Sequence, residues 1–169
     1  DGIIQPEYRP GEAVSKFSDS LIDQGLEKVH HLFNAFHNHP SGRISCIGAA
    51  QLVGTSSPKL LQSVRSLSTS YNVPYTIHLG QSRLEVQSLL QMWGVRPAQY
   101  LYDQDFLSPH LIAAHCRYLD PSEIRLLGQT KSGLSHQPAM AARRGVFPPI
   151  ATLRTAGFQT RLGTHNTPR

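Results

Sequence analysis

Five short apolar runs recur along the chain, at Arg43–Ala50, Pro74–Gly80, Leu111–Cys116, Ser132–His136 and Phe158–Gly163. Each is too short for a helix and predicts a strand. Between and after them the apolar residues fall at helical spacing: Leu60, Val64 and Leu67, then Val86, Leu89, Leu90 and Trp93, then Ala98, Leu101 and Tyr102, then Ile124 and Leu127, then Ile150 and Leu153. Strands that alternate with helices are expected to lie parallel, because two parallel neighbours need a connection that returns across the sheet. Ahead of the first strand, Ser18 is placed to cap a long helix over residues 18–39, with an apolar stripe at Ile22, Leu26, Val29, Phe33 and Phe36. Residues 1–17, with their Pro and Gly, read as a loop. Residues 43–169 read as successive βα units, so residues 1–169 form a single α/β domain.

In both common parallel architectures, the barrel and the doubly wound sheet, chemistry sits at the carboxyl ends of the strands. Four of the five ends finish at or just before a histidine: His78, His115, His136 and His165. A single histidine at such a place is an ordinary structural residue. Four in register predict a shared cleft, where neutral imidazoles suit zinc, iron or another borderline metal. The chain also holds one H-x-H sequence, His37-Asn38-His39, with His30 and His31 one or two turns earlier. These lie at the end of the long helix, where a histidine is commonly solvated or set against the helix dipole, and they are expected away from the cleft.

Composition narrows the partners. Charged residues make up 16% of the 169 residues, and no segment is apolar enough to span a membrane or act as a secretory signal, which predicts a cytoplasmic protein. The formal charge of +5 is scattered, with Arg143-Arg144 the one adjacent basic pair, so a nucleic-acid partner is not expected. Cys46 and Cys116 form no CxxC pair, which argues against a disulfide framework or a thiolate zinc site.

Several segments also resemble a known family, in order and at the right spacing. Tyr75-Thr76-Ile77-His78-Leu79-Gly80-Gln81 through Glu85 resembles the fifth-strand motif of the metal-dependent amidohydrolase superfamily, written HLxE. Ala114-His115-Cys116 with Leu119-Asp120 and Glu123 to Leu127 resembles its sixth strand and helix. Ser135-His136-Gln137-Pro138 is similar to its seventh-strand SHxP, and Leu162-Gly163-Thr164 to the eighth-strand GTD. The likeness covers residues 41–167 and is greatest to the aminohydrolase branch, with guanine, cytosine and S-adenosylhomocysteine deaminases and triazine hydrolases. It implies the C-terminal part, about five βα units, of a (β/α)8 TIM-type barrel. It implies one divalent metal, zinc or iron, and a small N-heterocyclic substrate that is deaminated or dehalogenated by metal-activated water. By the same resemblance His78 is a metal ligand, His115 a metal ligand or catalytic residue, and His136 a substrate-binding residue.

Two positions depart from the family pattern. Gln81 stands where the fifth-strand glutamate is expected, and an amide orients water without shuttling a proton. His165 stands where the eighth-strand aspartate is expected; it can ligate metal or act in catalysis, but it brings no negative charge. Glu85, one turn beyond Gln81, reads as a solvated helix residue. The family's first-strand ligand pair is not found in the chain, and the first three strands are expected to be absent. Two readings follow, a fragment of an active hydrolase or a catalytically inactive remnant with at most an interaction role. Residues 1–169 alone are expected neither to bind zinc tightly nor to deaminate, and an incomplete barrel with open strand edges could form a homo-oligomer. A doubly wound binding domain is the weaker third reading, since no glycine-rich phosphate loop follows any strand.

Overall fold

The computed structural model describes residues 3–4 and 16–165. Strand β1 (Ile3–Ile4) pairs antiparallel with β2 (Lys16–Phe17), so the expected opening loop includes a small ribbon, while the rest of residues 1–15 lies outside the described residues. Helix α1 (Asp19–Phe36) follows, and the Ser18 side chain accepts from Leu21 N as its cap. The chain then alternates: β3 (Gly48–Leu52), a single 3₁₀ turn, α2 (Pro58–Tyr71), β4 (Tyr75–Leu79), α3 (Arg83–Trp93), α4 (Pro97–Asp103), β5 (Leu111–His115), α5 (Pro121–Gln129), β6 (Gly133–His136), α6 (Pro138–Arg144), α7 (Ile150–Thr155) and β7 (Gln159–Leu162).

The sheet order is β3-β4-β5-β6-β7, and every pair is parallel. Sequential order without a reversal is the pattern of a barrel wall and lacks the switch point of a doubly wound sheet. Local chemistry sets the starts of the helices. Ser57 and Ser82 cap α2 and α3, and Asp120 with Glu123 forms a reciprocal capping box at α5. The first strand begins later than its apolar run suggests, at Gly48 rather than Arg43, and Ile44 and Ile47 stay exposed. Gly48 is paired with Tyr75, and the residues before Tyr75 are Pro74, which has no N–H, and the left-handed cap Asn72, so residues 43–47 have no strand to join.

One face of the sheet carries the core. Tyr75, Ile77, Leu79, Leu111, Ala113 and Leu134 are buried against Leu61, Val64, Leu89, Leu101, Leu127 and Leu153 from the helices. At about 1.5 to 3 kcal/mol for each large apolar side chain, this layer is the main source of stability. Helices α5 and α7 meet closely at Gly128, where a Cβ would stand 2.0 Å from Ala156 O. The alternate residues, Thr76 and His78 among them, belong to the opposite face and are only half-buried. No described helix is long and apolar enough to cross a membrane.

Candidate metal centre

Three of the four rim histidines meet. The His78, His115 and His165 rings each offer a nitrogen, and these atoms lie within 4.8 Å of one another. His78 Nε2 and His165 Nε2 are 3.2 Å apart, and the His115 ring stacks on His78 with centroids 5.2 Å apart and lies 4.8 Å from His165. His78 comes from β4, His115 from the last residue of β5, and His165 from the segment after β7.

Backbone geometry brings His115 into the group. In the ladder it is the register partner of Leu79, whose side chain belongs to the buried helix-facing layer, so strict alternation would carry it away from His78. Instead His115 and Cys116 adopt positive φ, 75° and 53°, and the alternation breaks at the rim. His165 is also left-handed, at φ 68°. Such conformations cost non-glycine residues about 1 kcal/mol each, and here they coincide with the convergence of side chains.

Each imidazole has a distinct environment. His78 Nδ1 is hydrogen-bonded to the Gln51 carbonyl oxygen, which only accepts, so Nδ1 carries the proton and Nε2 presents its lone pair toward His165. His115 is 4% exposed, and its Nε2 is buried without a hydrogen-bond partner among the described residues. Burial first, then the Arg117 guanidinium and the neighbouring His78, His165 and Arg144, hold His115 down to about 3, so it is neutral at physiological pH. His165 is exposed.

This donor set fits a divalent ion of the zinc type. Zn–N bonds of ~2.0 to 2.1 Å at tetrahedral angles put two ligand nitrogens ~3.3 Å apart, close to the His78–His165 separation. His115 Nε2 takes part in no hydrogen bond among the described residues, which leaves that imidazole available as a ligand. Three protein ligands leave a fourth position open, the arrangement of catalytic rather than structural zinc sites.

His136 ends the adjacent strand β6 but lies outside this group of three. Gln81 lies in the turn after β4, with its backbone N–H donated to Glu85 Oε2 at 3.0 Å and its carbonyl accepting from Arg117 Nη2 at 2.7 Å. The H-x-H pair is elsewhere, as expected. The His37 ring packs on Phe33 and Tyr71 and its Nδ1 accepts from Cys46 N, while His39 Nδ1 bonds Ser41 Oγ.

One expectation is overturned. Glu85 is not solvated: it is 7% exposed, and its two oxygens accept from Gly80 N at 2.8 Å and Gln81 N. Its position in the first turn of α3 points the carboxylate back over the preceding turn, as side chains on a helix do. Burial raises it to about 7, against the pull of those two N–H groups. Sequence reading also missed Gln137, which is buried, accepts from His115 N through Oε1 at 3.2 Å and donates to Ser135 Oγ at 3.0 Å.

No family model matches the chain. Among curated proteins it is 32% identical over 161 residues to a 5-methylthioadenosine/S-adenosylhomocysteine deaminase from Syntrophobacter fumaroxidans, covering 94% of this chain and 34% of that protein. It is 31% identical over 157 residues to a 5'-deoxyadenosine deaminase from Methanobrevibacter smithii, covering 87% and 36%. Among solved structures, a zinc-bound atrazine chlorohydrolase from Arthrobacter aurescens superposes with TM-score 0.79 at 21% identity over 93% of this chain and 35% of that one. A zinc-bound adenosine deaminase from Xanthomonas campestris gives 0.73 at 22% identity over 89% and 34%. The chain thus spans about a third of the length of these relatives. With its sequential parallel strands and its sequence likeness to deaminases running nearly end to end, the chain belongs to the amidohydrolase superfamily as a partial TIM-type barrel.

Proposed function

We propose that this chain forms the C-terminal, metal-holding part of a metal-dependent hydrolase that removes an amino group or halide from a small N-heterocycle. The observation that carries the reading is the convergence of one ring nitrogen each from His78, His115 and His165 to within 4.8 Å. His78, His115 and His165 would hold the ion, and the relatives' names favour an adenosine-type substrate. When bound, the ion supplies an activated water and polarises the ring carbon under attack.

The remaining roles belong to the chain's own residues. The Gln51 carbonyl fixes the tautomer of His78, and Gln137 anchors the His115 backbone. The Gln81 carboxamide orients water, because an amide donates and accepts hydrogen bonds but cannot carry a proton near neutral pH. The imidazoles of His115 and His165 are the candidates for catalysis as well as ligation. His136, one strand along, binds the heterocycle. Residues 1–169 act as one domain, and the free Cys46 and Cys116 suit a reducing compartment, the cytoplasm. The open edges at β3 and β7 suit a homo-oligomer.

The geometry favours a metal centre within this chain over an inactive remnant. The test is cobalt or zinc titration of residues 1–169 with ammonia release from adenosine-type, guanine, cytosine and triazine substrates. One ion per chain, lost in H115A, is expected; a folded chain that takes up no ion would overturn the reading.

A further inference from the structure

The turn between β4 and α3 is held from outside on every side. Gly80 N donates to Glu85 Oε1 at 2.8 Å and Gln81 N to Glu85 Oε2 at 3.0 Å. On the carbonyl side, Gly80 O accepts from Arg117 N at 3.0 Å and Tyr118 N at 2.9 Å, and Gln81 O accepts from Arg117 Nη2 at 2.7 Å. Cys116 N reaches across to Leu79 O at 2.8 Å. The four backbone polar groups of two consecutive residues are therefore satisfied by one buried carboxylate and by the segment that follows His115.

Such a turn does not hold itself. Gly80 has φ +58°, and a Cβ there would stand 3.2 Å from Leu119 Cδ2, so the backbone follows a path set by its neighbours. The same segment, Cys116 to Tyr118, continues directly from the rim ligand His115. A carboxylate accepting two backbone N–H groups makes charge-assisted bonds, stronger than neutral ones, and it fixes the peptide's orientation.

We infer that Glu85 and Arg117 are positioning residues that grip the Gln81 peptide from opposite sides, fixing the path of the turn that carries the Gln81 carboxamide and tying that path to the His115 rim. The inference rests on the hydrolase reading above for the role of Gln81. The grip itself stands on the hydrogen bonds. Glu85 and Arg117 act through Gln81, not on substrate.

The test uses the whole chain, with amide hydrogen exchange read residue by residue and visible absorption of bound cobalt. In E85A the Gly80 and Gln81 amides should exchange at least ~30-fold faster while Ile77 and Ala113 in the strands keep their protection. Should E85A fold poorly, E85Q keeps the volume and one acceptor, and only one of the two amides should lose protection. R117K retains a single donor for Gln81 O and should stay nearer wild type than R117M. The cobalt spectrum separates positioning from general loosening. Q81A, E85A and the double variant should show the same spectral change, because a residue acting only through Gln81 adds nothing once Gln81 is removed. Unchanged Gly80 and Gln81 exchange in both Glu85 variants, or spectral changes that sum in the double variant, would overturn the inference. A wild-type chain that binds no cobalt would instead remove the hydrolase reading, with the exchange rates still judging the grip.

Discussion

Two groups of histidines make opposite use of the same side chain. His37 and His39 sit two residues apart in the sequence and look like a ligand pair, yet one packs against Phe33 and Tyr71 and the other bonds Ser41. His78, His115 and His165 are separated by 37 and 50 residues in the numbering, and their nitrogens lie within 4.8 Å. Parallel strands deliver their ends to one rim whatever the chain length between them, whereas neighbours just past a helix end point wherever the local turn leaves them. Convergence, not proximity in sequence, makes the site.

The sharpest way to break that comparison is to truncate one member of each group. H115A removes the buried member of the proposed metal centre and should weaken zinc or cobalt binding by at least ~100-fold, whereas H39A should leave affinity within about twofold. Isothermal titration of both variants checks this. Equal losses would return the H-x-H pair to candidacy.

The next effect concerns charge at the rim. Glu85 is nearly buried, and in the folded protein burial, with a smaller push from Glu123, lifts it from 4.5 to about 7 against Arg117 and two backbone N–H groups. The folded state then holds this proton more tightly than the unfolded chain. Stability contributed at this site is highest below pH 4.5 and falls as pH rises to about 7, by up to about 3 kcal/mol. Urea denaturation of wild type against E85Q from pH 4 to 8 should show the difference narrowing in favour of E85Q as pH rises. A flat difference would mean that Glu85 is not desolvated. Protonation also turns one acceptor into a donor, so one of the Gly80 and Gln81 amides should lose protection as pH falls below about 7, as in E85Q.

A smaller effect belongs to the other group. His37 fills space between Phe33 and Tyr71 and accepts from Cys46 N at 3.2 Å. H37A should cost about 1 to 2 kcal/mol in denaturation midpoint analysis without changing metal affinity. A loss of binding would show that the α1 end and the rim are coupled.

Much of this was legible in the sequence because strand ends and family motifs coincide: short apolar runs mark β4 through β7, and His78, His115 and His165 end their units. The first strand was misjudged at its start, since apolar composition at Ile44 and Ile47 does not reveal the lack of a pairing partner. The convergence of His115 was expected, but the means was invisible, because it depends on left-handed φ at two non-glycine residues. Glu85 was misread for a related reason. A carboxylate in the first turn of a helix is commonly solvated, and only the folded path of Gly80 and Gln81 supplies the two N–H groups that draw it inward. Gln137 was missed because a polar residue between a strand and a helix has no signature until its backbone partner, His115 N, is known.

The smallest expected effect tests whether the rim tolerates a change of ligand chemistry at His165, where the family pattern places an aspartate. A carboxylate would add the negative charge that the three imidazoles lack, and its attraction to a divalent ion would favour binding. Against that, the shorter side chain must reach a position now met by an imidazole nitrogen 3.2 Å from His78 Nε2, from a backbone that is already left-handed. The two effects oppose, and Asp tolerates the left-handed region better than most residues, so H165D should bind zinc within about tenfold of wild type. H165A has neither compensation and should lose more, though less than H115A, since His165 is exposed and water can take its place in the coordination sphere. Measured together, the order wild type and H165D, then H165A, then H115A would place His165 as a replaceable outer ligand. An H165A affinity equal to wild type would remove it from the metal centre and leave His78 and His115 to be completed from elsewhere.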